Sequence, residues 1–348
     1  MRFATPAAAL GAALIFTAPA LAETLTFTTS APPTAPQSHV FEDWAKMLKE
    51  RSGGDLEVEF YYQQSLSKLA DNLEAIASGL ADIGIVVAAY DRAKMPLTYL
   101  SSTSFGTGDP YVVSQAWLDT REKFPSIAAE DEANNIKYLT NHSINSTIMI
   151  GDKFYKTPQD MEGQTMRLSS HWVFAAKNEG IGVNPARIRS PETYTSLEKG
   201  TISGAVTYPG QLYPYKLNEV ADHVTVLDLG QHMNMYYINL DRWNDMDAAH
   251  RQLIEDSLPQ LTQDLARAEI EYDEDSFARV EKDEEYPMQI HRLTEDERAK
   301  WQAALAPSYE KNVEDAVSVN PAAAEIGDYY TSRIDELQQV VKSEGYPW

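Results

Sequence analysis

The 348-residue chain carries 52 acidic against 29 basic side chains, a formal net charge of −23, which argues against nucleic acid as a partner because phosphate contacts need clustered Lys and Arg. It has no cysteine, so neither disulfides nor a thiol nucleophile enters the account. Its length suits two α/β lobes with a core each better than one outsized core.

The first 22 residues read as a signal peptide. Arg2 gives a positive start, Ala7 to Phe16 is an apolar run, and Ala20-Leu21-Ala22 offers a small-residue cleavage site. The run falls short of the roughly 20 residues that a membrane span needs, and no later stretch is long and apolar enough. Cleavage after Ala22 predicts export to the periplasm and a mature chain of 348 − 22 = 326 residues, with a charge of −23 − 1 = −24 once Arg2 is lost. Such acidity reads as a solvated surface, and the acid run Glu271 to Glu285 as the exposed face of a long helix.

Beyond the cleavage site Leu25 and Phe27 alternate with threonines as a strand, and Val40, Phe41, Trp44, Ala45 and Leu48 recur at helical spacing until Ser52-Gly53-Gly54. Leu56, Val58 and Phe60 alternate with glutamates as a second strand. A helix through Leu69, Leu73 and Ile76 ends at Gly79, and Ile83 to Ala89 is the near-continuous apolar run of a central parallel strand. The same order recurs about a hundred residues later. Thr165 to Leu168 is a strand, Trp172 to Glu179 a helix closed by Gly180, and Val183 to Ile188 extended; Glu192 to Lys199 is a helix ended by Gly200, and Ser203 to Thr207 a strand. Alternating strands and helices predict two α/β lobes with mainly parallel sheets, whose ligand-binding edges face each other across a cleft. The remainder is helical: a long helix from about Asp247 to Phe277, one marked by Trp301, Leu305 and Tyr309, and one by Ile326, Tyr330, Ile334 and Leu337. No Gly/Ser-rich or Pro-rich linker separates the halves, which predicts a hinge made of chain crossings.

Catalytic signatures are absent. There is no His-Glu-x-x-His helix, no Gly-x-Ser-x-Gly elbow and no phosphate loop, and the seven histidines show no pair at i, i+4. Gly180-Ile181-Gly182 begins a dinucleotide-like pattern, but Pro185 stands where its third glycine belongs. No metal site or cofactor is expected, and an enzyme is the minority reading.

Four segments, in order, carry a resemblance: Trp44-Ala45 with Arg51-Ser52-Gly53-Gly54; Leu73-Glu74-Ala75-Ile76-Ala77-Ser78-Gly79-Leu80-Ala81-Asp82-Ile83-Gly84; Thr157 to Arg167 (TPQDMEGQTMR); and Glu192 to Gly200 (ETYTSLEKG). Together they resemble the periplasmic solute-binding subunits of TRAP transporters, over nearly the whole mature chain. The resemblance implies the two-lobed periplasmic-binding-protein fold, with a hinge, a long helix spanning both lobes and no cofactor. The expected division is 23–144 plus 233–272 in lobe I and 145–232 plus 273–348 in lobe II. It further implies a small organic acid as ligand, delivery to integral membrane TRAP permease subunits driven by an ion gradient, and a monomer. A binding protein for another transporter or a sensor, and a periplasmic enzyme on the same architecture, are the alternatives.

Members usually hold a carboxylate through one arginine, and Arg167 matches that position in the motif. It also ends a predicted strand, where its planar fork can pair with both carboxylate oxygens. A second basic residue often precedes it by about twenty positions, where this chain has Ser146, Thr147 and Ile148; the usual Asp-Gly after the second helix is Ser203-Gly204, and the following asparagine aligns with Thr207, beside Tyr208. Tyr62, Tyr90, Trp172, Tyr208, Tyr236 and Tyr237 are candidate aromatic walls. One arginine with aromatics suits a monocarboxylate: a betaine or sulfoniopropionate held by cation-π attraction, or an aromatic or short hydroxy or keto acid.

Overall fold

Alternation of apolar residues with threonine makes β1 (Glu23–Thr28), which buries Leu25 and Phe27. The computed structural model describes residues 22–102, 106–144, 147–168, 172–173, 176–177, 180–230 and 232–348, so nearly all of the expected signal peptide lies outside the described residues. Among the described residues no helix is long and apolar enough to cross a membrane. α1 (Pro36–Arg51) has proline in its first turn, buries Phe41, Trp44 and Leu48, and stops at Gly53 and Gly54, both at positive φ. β2 (Leu56–Tyr61), α2 (Asn72–Ala77) and β3 (Ile83–Val86) follow. β3 is shorter than its apolar run, because the chain bends into a 3-10 turn at Ala88–Tyr90. Next come α3 (Pro96–Tyr99), α4 (Pro110–Lys123), α5 (Pro125–Ala133), β4 (Ile136–Ile144) and β5 (Ile148–Gly151).

The second half supplies β6 (Thr165–Arg167), helical positions at 172–173 and 176–177, β7 (Asn184–Ala186), α6 (Thr193–Glu198), β8 (Gly204–Thr207) and β9 (His223–Val226). Then come β10 (His232–Asn239), α7 (Leu240–Asp245), α8 (Ala248–Glu281), β11 (Gln289–Arg292), α9 (Glu295–Val319) and α10 (Ala323–Glu344).

The strands form two sheets, β2-β1-β3-β10-β4 and β11-β9-β5-β8-β6-β7. Both are mixed: in each, a single strand, β10 or β5, runs against the others, which share one direction. The helix-linked strands pair in parallel, as β1 does with β2 and β3, and β6 with β7 and β8. Strands that pass directly from one sheet to the other, β4 into β5 and β9 into β10, have no crossover helix to reverse them. β10 therefore runs antiparallel between β3 and β4, and β5 antiparallel between β8 and β9.

Each sheet has a core on both faces. Phe27, Ile83 and Tyr236 lie on one face of the first sheet, and Val86, Trp117 and Tyr237 on the other. α8 contributes Ile254, Leu261 and Leu265 to a first-sheet core and Phe277 and Val280 to a second-sheet core, so it spans both lobes. α9 also bridges, with Trp301 and Leu305 in one lobe and Ala316 in the other. α10, expected with lobe II, instead buries Ile326, Tyr330, Ile334 and Leu337 in the first-sheet core, because Ala316 already carries the chain back there. The acid run is not uniformly exposed: Glu271, Glu274 and Asp275 face solvent, but Asp273 is buried on the inward side of α8.

The β9-to-β10 crossing is pinned at Asp228, a non-glycine residue at φ 49°. Its backbone and side-chain oxygens accept from the Gly108 amide and the Arg298 guanidinium, which ties the segment before α4 to α9.

Gly151 and Gly204 face each other across β5 and β8 because Tyr155 lies over both. A Cβ on Gly204 would collide with the Tyr155 hydroxyl and stand 2.8 Å from the Ile150 carbonyl oxygen. Gly204→Ala should therefore lower the unfolding free energy by about 1–3 kcal/mol in urea titration. An unchanged midpoint would mean that Tyr155 does not fix the packing of this face.

Candidate functional site

β6, β7 and β8 end side by side, with Arg167 opposite both Ala186 and Ala205. This is the strand edge at which open α/β sheets hold ligands. Arg167, the last residue of β6, is 9% exposed. Its Nε donates to the Ile188 carbonyl at 3.1 Å, Nη1 to the Val206 carbonyl and Nη2 to the Ser190 hydroxyl at 2.9 Å. All three acceptors are neutral. Among the described residues no carboxylate pairs with Arg167, whereas Arg121 and Arg298 each hold one and Arg242 and Arg333 two.

A guanidinium has five N–H donors, and these contacts engage three of them. One N–H on each terminal nitrogen remains for a further acceptor, the number needed to grip both oxygens of a carboxylate. Burial lowers the Arg167 guanidinium from its ordinary value, with the nearby Tyr208 and Tyr215 side chains acting the other way. The site thus offers a half-satisfied, largely desolvated cation.

Thr207 and Tyr208 lie beside it. Thr207 ends β8 and donates to the Gln211 side-chain carbonyl at 2.8 Å. Half-buried Tyr208 leads into a 3-10 turn at Pro209–Gln211. Burial raises its phenol above the ordinary value, against the pull of Arg167, so near neutral pH it is an O–H donor.

The other candidates do not converge here. Trp172 is 2% exposed in a core against Trp301, ring centroids 5.8 Å apart at 80°, because it falls on the inward side of its helical segment. Tyr237 is fully buried against Tyr138. The two-residue period of β10 sends Tyr236 to the opposite face, where its hydroxyl meets His142 Nδ1 at 3.0 Å. Neither tyrosine can wall a cleft from inside a core. Tyr62 follows β2, stacks on Phe60 and donates to Glu42. Tyr90 ends the 3-10 turn after β3 and is 57% exposed. Tyr62 and Tyr90 thus belong to the strand ends of the first sheet, apart from the Arg167 cluster on the second. Of the departures noted at the second cation position, Thr147 and Ile148 are buried and Ser146 lies outside the described residues.

A family profile for bacterial extracellular solute-binding proteins, family 7 (DctP), matches residues 27–315. The chain belongs to this family. It is 26% identical over 308 residues to the C4-dicarboxylate-binding periplasmic protein DctP of Rhodobacter capsulatus, covering 86% of this chain and 90% of that one. Its fold is similar to the crystal structure of a TRAP periplasmic solute-binding protein from Desulfovibrio salexigens, at TM-score 0.80 and 19% identity over 93% of this chain and 98% of that one. It is also similar to a TRAP periplasmic solute-binding protein from Bordetella bronchiseptica with bound (R)- and (S)-mandelate, at TM-score 0.72 and 18% identity over 90% and 99% of the two chains. Family-7 proteins of the TRAP type are extracytoplasmic transport receptors that bind small organic acids and work with membrane permeases.

Reading the sequence as a family-7 receptor singles out Arg167 but not the groups that hold it. Ser190 reads as an ordinary residue ahead of a helix, and the Ile188 and Val206 carbonyls leave no trace in side-chain patterns. Ser190→Ala should cost about 1–3 kcal/mol of stability, since it removes a hydroxyl acceptor from a buried charge. The same change on an Arg167→Ala background should cost much less. Equal losses in the two backgrounds, measured as a double-mutant cycle, would show that the two side chains do not interact.

Proposed function

We propose that this protein captures a small monocarboxylate between its lobes through Arg167 and delivers it to a TRAP permease as a binding protein without turnover. The observation that carries this reading is the buried guanidinium with three neutral partners and, among the described residues, no paired acid. An unpaired buried cation costs several kcal/mol, and an incoming carboxylate supplies what the fold withholds. Thr207 and the Tyr208 phenol complete the wall, and the role of contact from the facing first lobe goes to Tyr62 and Tyr90. With Trp172 and Tyr237 in cores, the aromatic groups near Arg167 are phenols able to donate hydrogen bonds. That favours an aromatic, hydroxy or keto acid over an onium compound, which would need a cage of ring faces. A buried Thr147-Ile148 pair where relatives often carry a second cation favours one carboxylate over two.

The rest of the reading follows the sequence. The chain is exported and cleaved after Ala22, acts in the periplasm and works as a monomer. One lobe is built on the sheet containing β1–β4 and β10 and the other on β5–β9 and β11, with hinges at the two direct crossings.

A thermal-shift screen of the mature protein against monocarboxylates, dicarboxylates, betaines, sugars and amino acids tests this. A hundredfold excess over Kd should stabilise the folded state by about 2.7 kcal/mol, a shift of several degrees. The hit should be a monocarboxylate, and Arg167→Ala, with an unchanged circular dichroism spectrum, should lose it. Hits confined to sugars, cationic amino acids or succinate-like diacids would overturn the single-arginine reading.

A further inference from the structure

The loop that follows β8 stands on the long helix rather than on its own sheet alone. Gly210 lies against the ring of Tyr272 on α8: a Cβ at 210 would stand 3.2 Å from ring atoms Cδ1 and Cζ and closer still to Cε1. Gly210 is not among the residues at positive φ, so backbone conformation does not call for glycine there. The ring does. The Tyr272 hydroxyl donates to the Gly210 carbonyl at 3.4 Å, and the Ser276 hydroxyl holds the Tyr272 carbonyl at 2.7 Å. Two turns along, Arg279 covers the ring of Tyr213, 4.3 Å from its centroid, while Leu212 enters the core with Phe277. The loop is therefore seated on α8 by Tyr272 and Arg279, seven residues apart on one side of the helix, while Leu212 shares a core with Phe277.

That same loop carries the groups beside the anion site. Tyr208 precedes the turn, Gln211 takes the Thr207 hydroxyl, and Tyr215 reaches the neighbourhood of Arg167. Arg167 itself is fixed elsewhere, by β8 and by residues 188 and 190. The cation and its phenols thus have separate mountings. The helix that holds the phenols is rooted through Ile254, Leu261 and Leu265 in the opposite lobe.

We infer that Tyr272, through Gly210, is a positioning residue that sets the tyrosine wall of the Arg167 site, so that the long helix governs the site from outside it. The inference takes its meaning from the anion-site reading above, but its measurement needs no solute. Hydrogen exchange followed by mass spectrometry reports the amides of 208–216, and phenylglyoxal labelling reports access to the Arg167 guanidinium. Tyr272→Ala should speed exchange in that loop about tenfold, corresponding to local opening eased by about 1.4 kcal/mol. It should also raise Arg167 labelling severalfold, with β1–β3 amides unchanged. Tyr272→Phe keeps the ring and should behave as the parent protein. Gly210→Ala should reproduce the alanine variant, because its Cβ and the ring cannot share the space.

If loop exchange or Arg167 labelling in Tyr272→Ala stays at parent levels, the positioning role is wrong. A uniform rise in exchange over both lobes would equally overturn it, marking Tyr272 as general packing. Absence of any solute hit with the parent protein leaves these readouts intact and counts against the carboxylate reading alone.

Discussion

The structure depends on α8 satisfying two cores that belong to different sheets while leaving the sheets distinct. Its early turns bury Ile254, Leu261 and Leu265 on the first sheet, and its late turns bury Phe277 and Val280 on the second. Between them, after Ala266, the buried inward positions are Glu269, Asp273 and Ser276. An apolar stretch there would weld the two cores into one. Buried polar groups instead require particular partners, as Glu269 has in His142 at 3.7 Å, and can take water in their place when the packing shifts. The helix thus joins the lobes covalently and mechanically without fusing their interiors. Asp228, held by Gly108 and Arg298, performs a similar office at the crossing strand.

Against that frame the placement of Arg167 has a clear electrostatic meaning. Among the described residues eight other arginines pair with acids, in a chain with 52 of them, while this one is surrounded by carbonyls, a hydroxyl and phenols. Carbonyl dipoles hold the charge in place but do not cancel it. Outside bulk water an opposite charge is felt several times more strongly than in solvent, so an anion that arrives there is attracted well beyond what a surface arginine could manage. The large negative charge of the whole chain works against that attraction at long range, and salt screens it beyond about 10 Å. On the proposed reading, selection of the solute is therefore a short-range matter that falls to the few groups at the ends of β6 and β8.

Much of this was legible in the sequence where periodicity is strong. The helices of Phe41-Trp44-Leu48, Leu261-Leu265 and Ile326-Tyr330-Ile334 lie close to where their apolar spacing puts them. So do the strands linked by helices. Of the unread strands, short β11 lies between the late helices, and β4, β5, β9 and β10 are those at the crossings, where both sheet faces and the hinge impose their own demands and residues such as Asn141, His142 and Asn234 are buried in place of apolar ones. The site divides in the same way. Arg167 and its β8 neighbours follow from a strand end, which is a local property. Trp172 and Tyr237 lie in cores because an aromatic in a strand or helix can turn inward or outward, and that choice is made by tertiary packing. Ser190 and Tyr272 act across 23 and 62 residues, distances over which local pattern carries no information.

The two carbonyl acceptors of Arg167 belong to the main chain at 188 and 206, and they persist whatever side chains those positions carry. A receptor built this way can exchange the residues around its anion anchor without moving the anchor itself. On the proposed reading, the carboxylate end of the solute meets an arginine that the backbone holds in place, and the remainder meets replaceable side chains. Diversification of what such a protein carries then requires changes in the loop after β8 and in the facing lobe, and none in the strands that fix the charge.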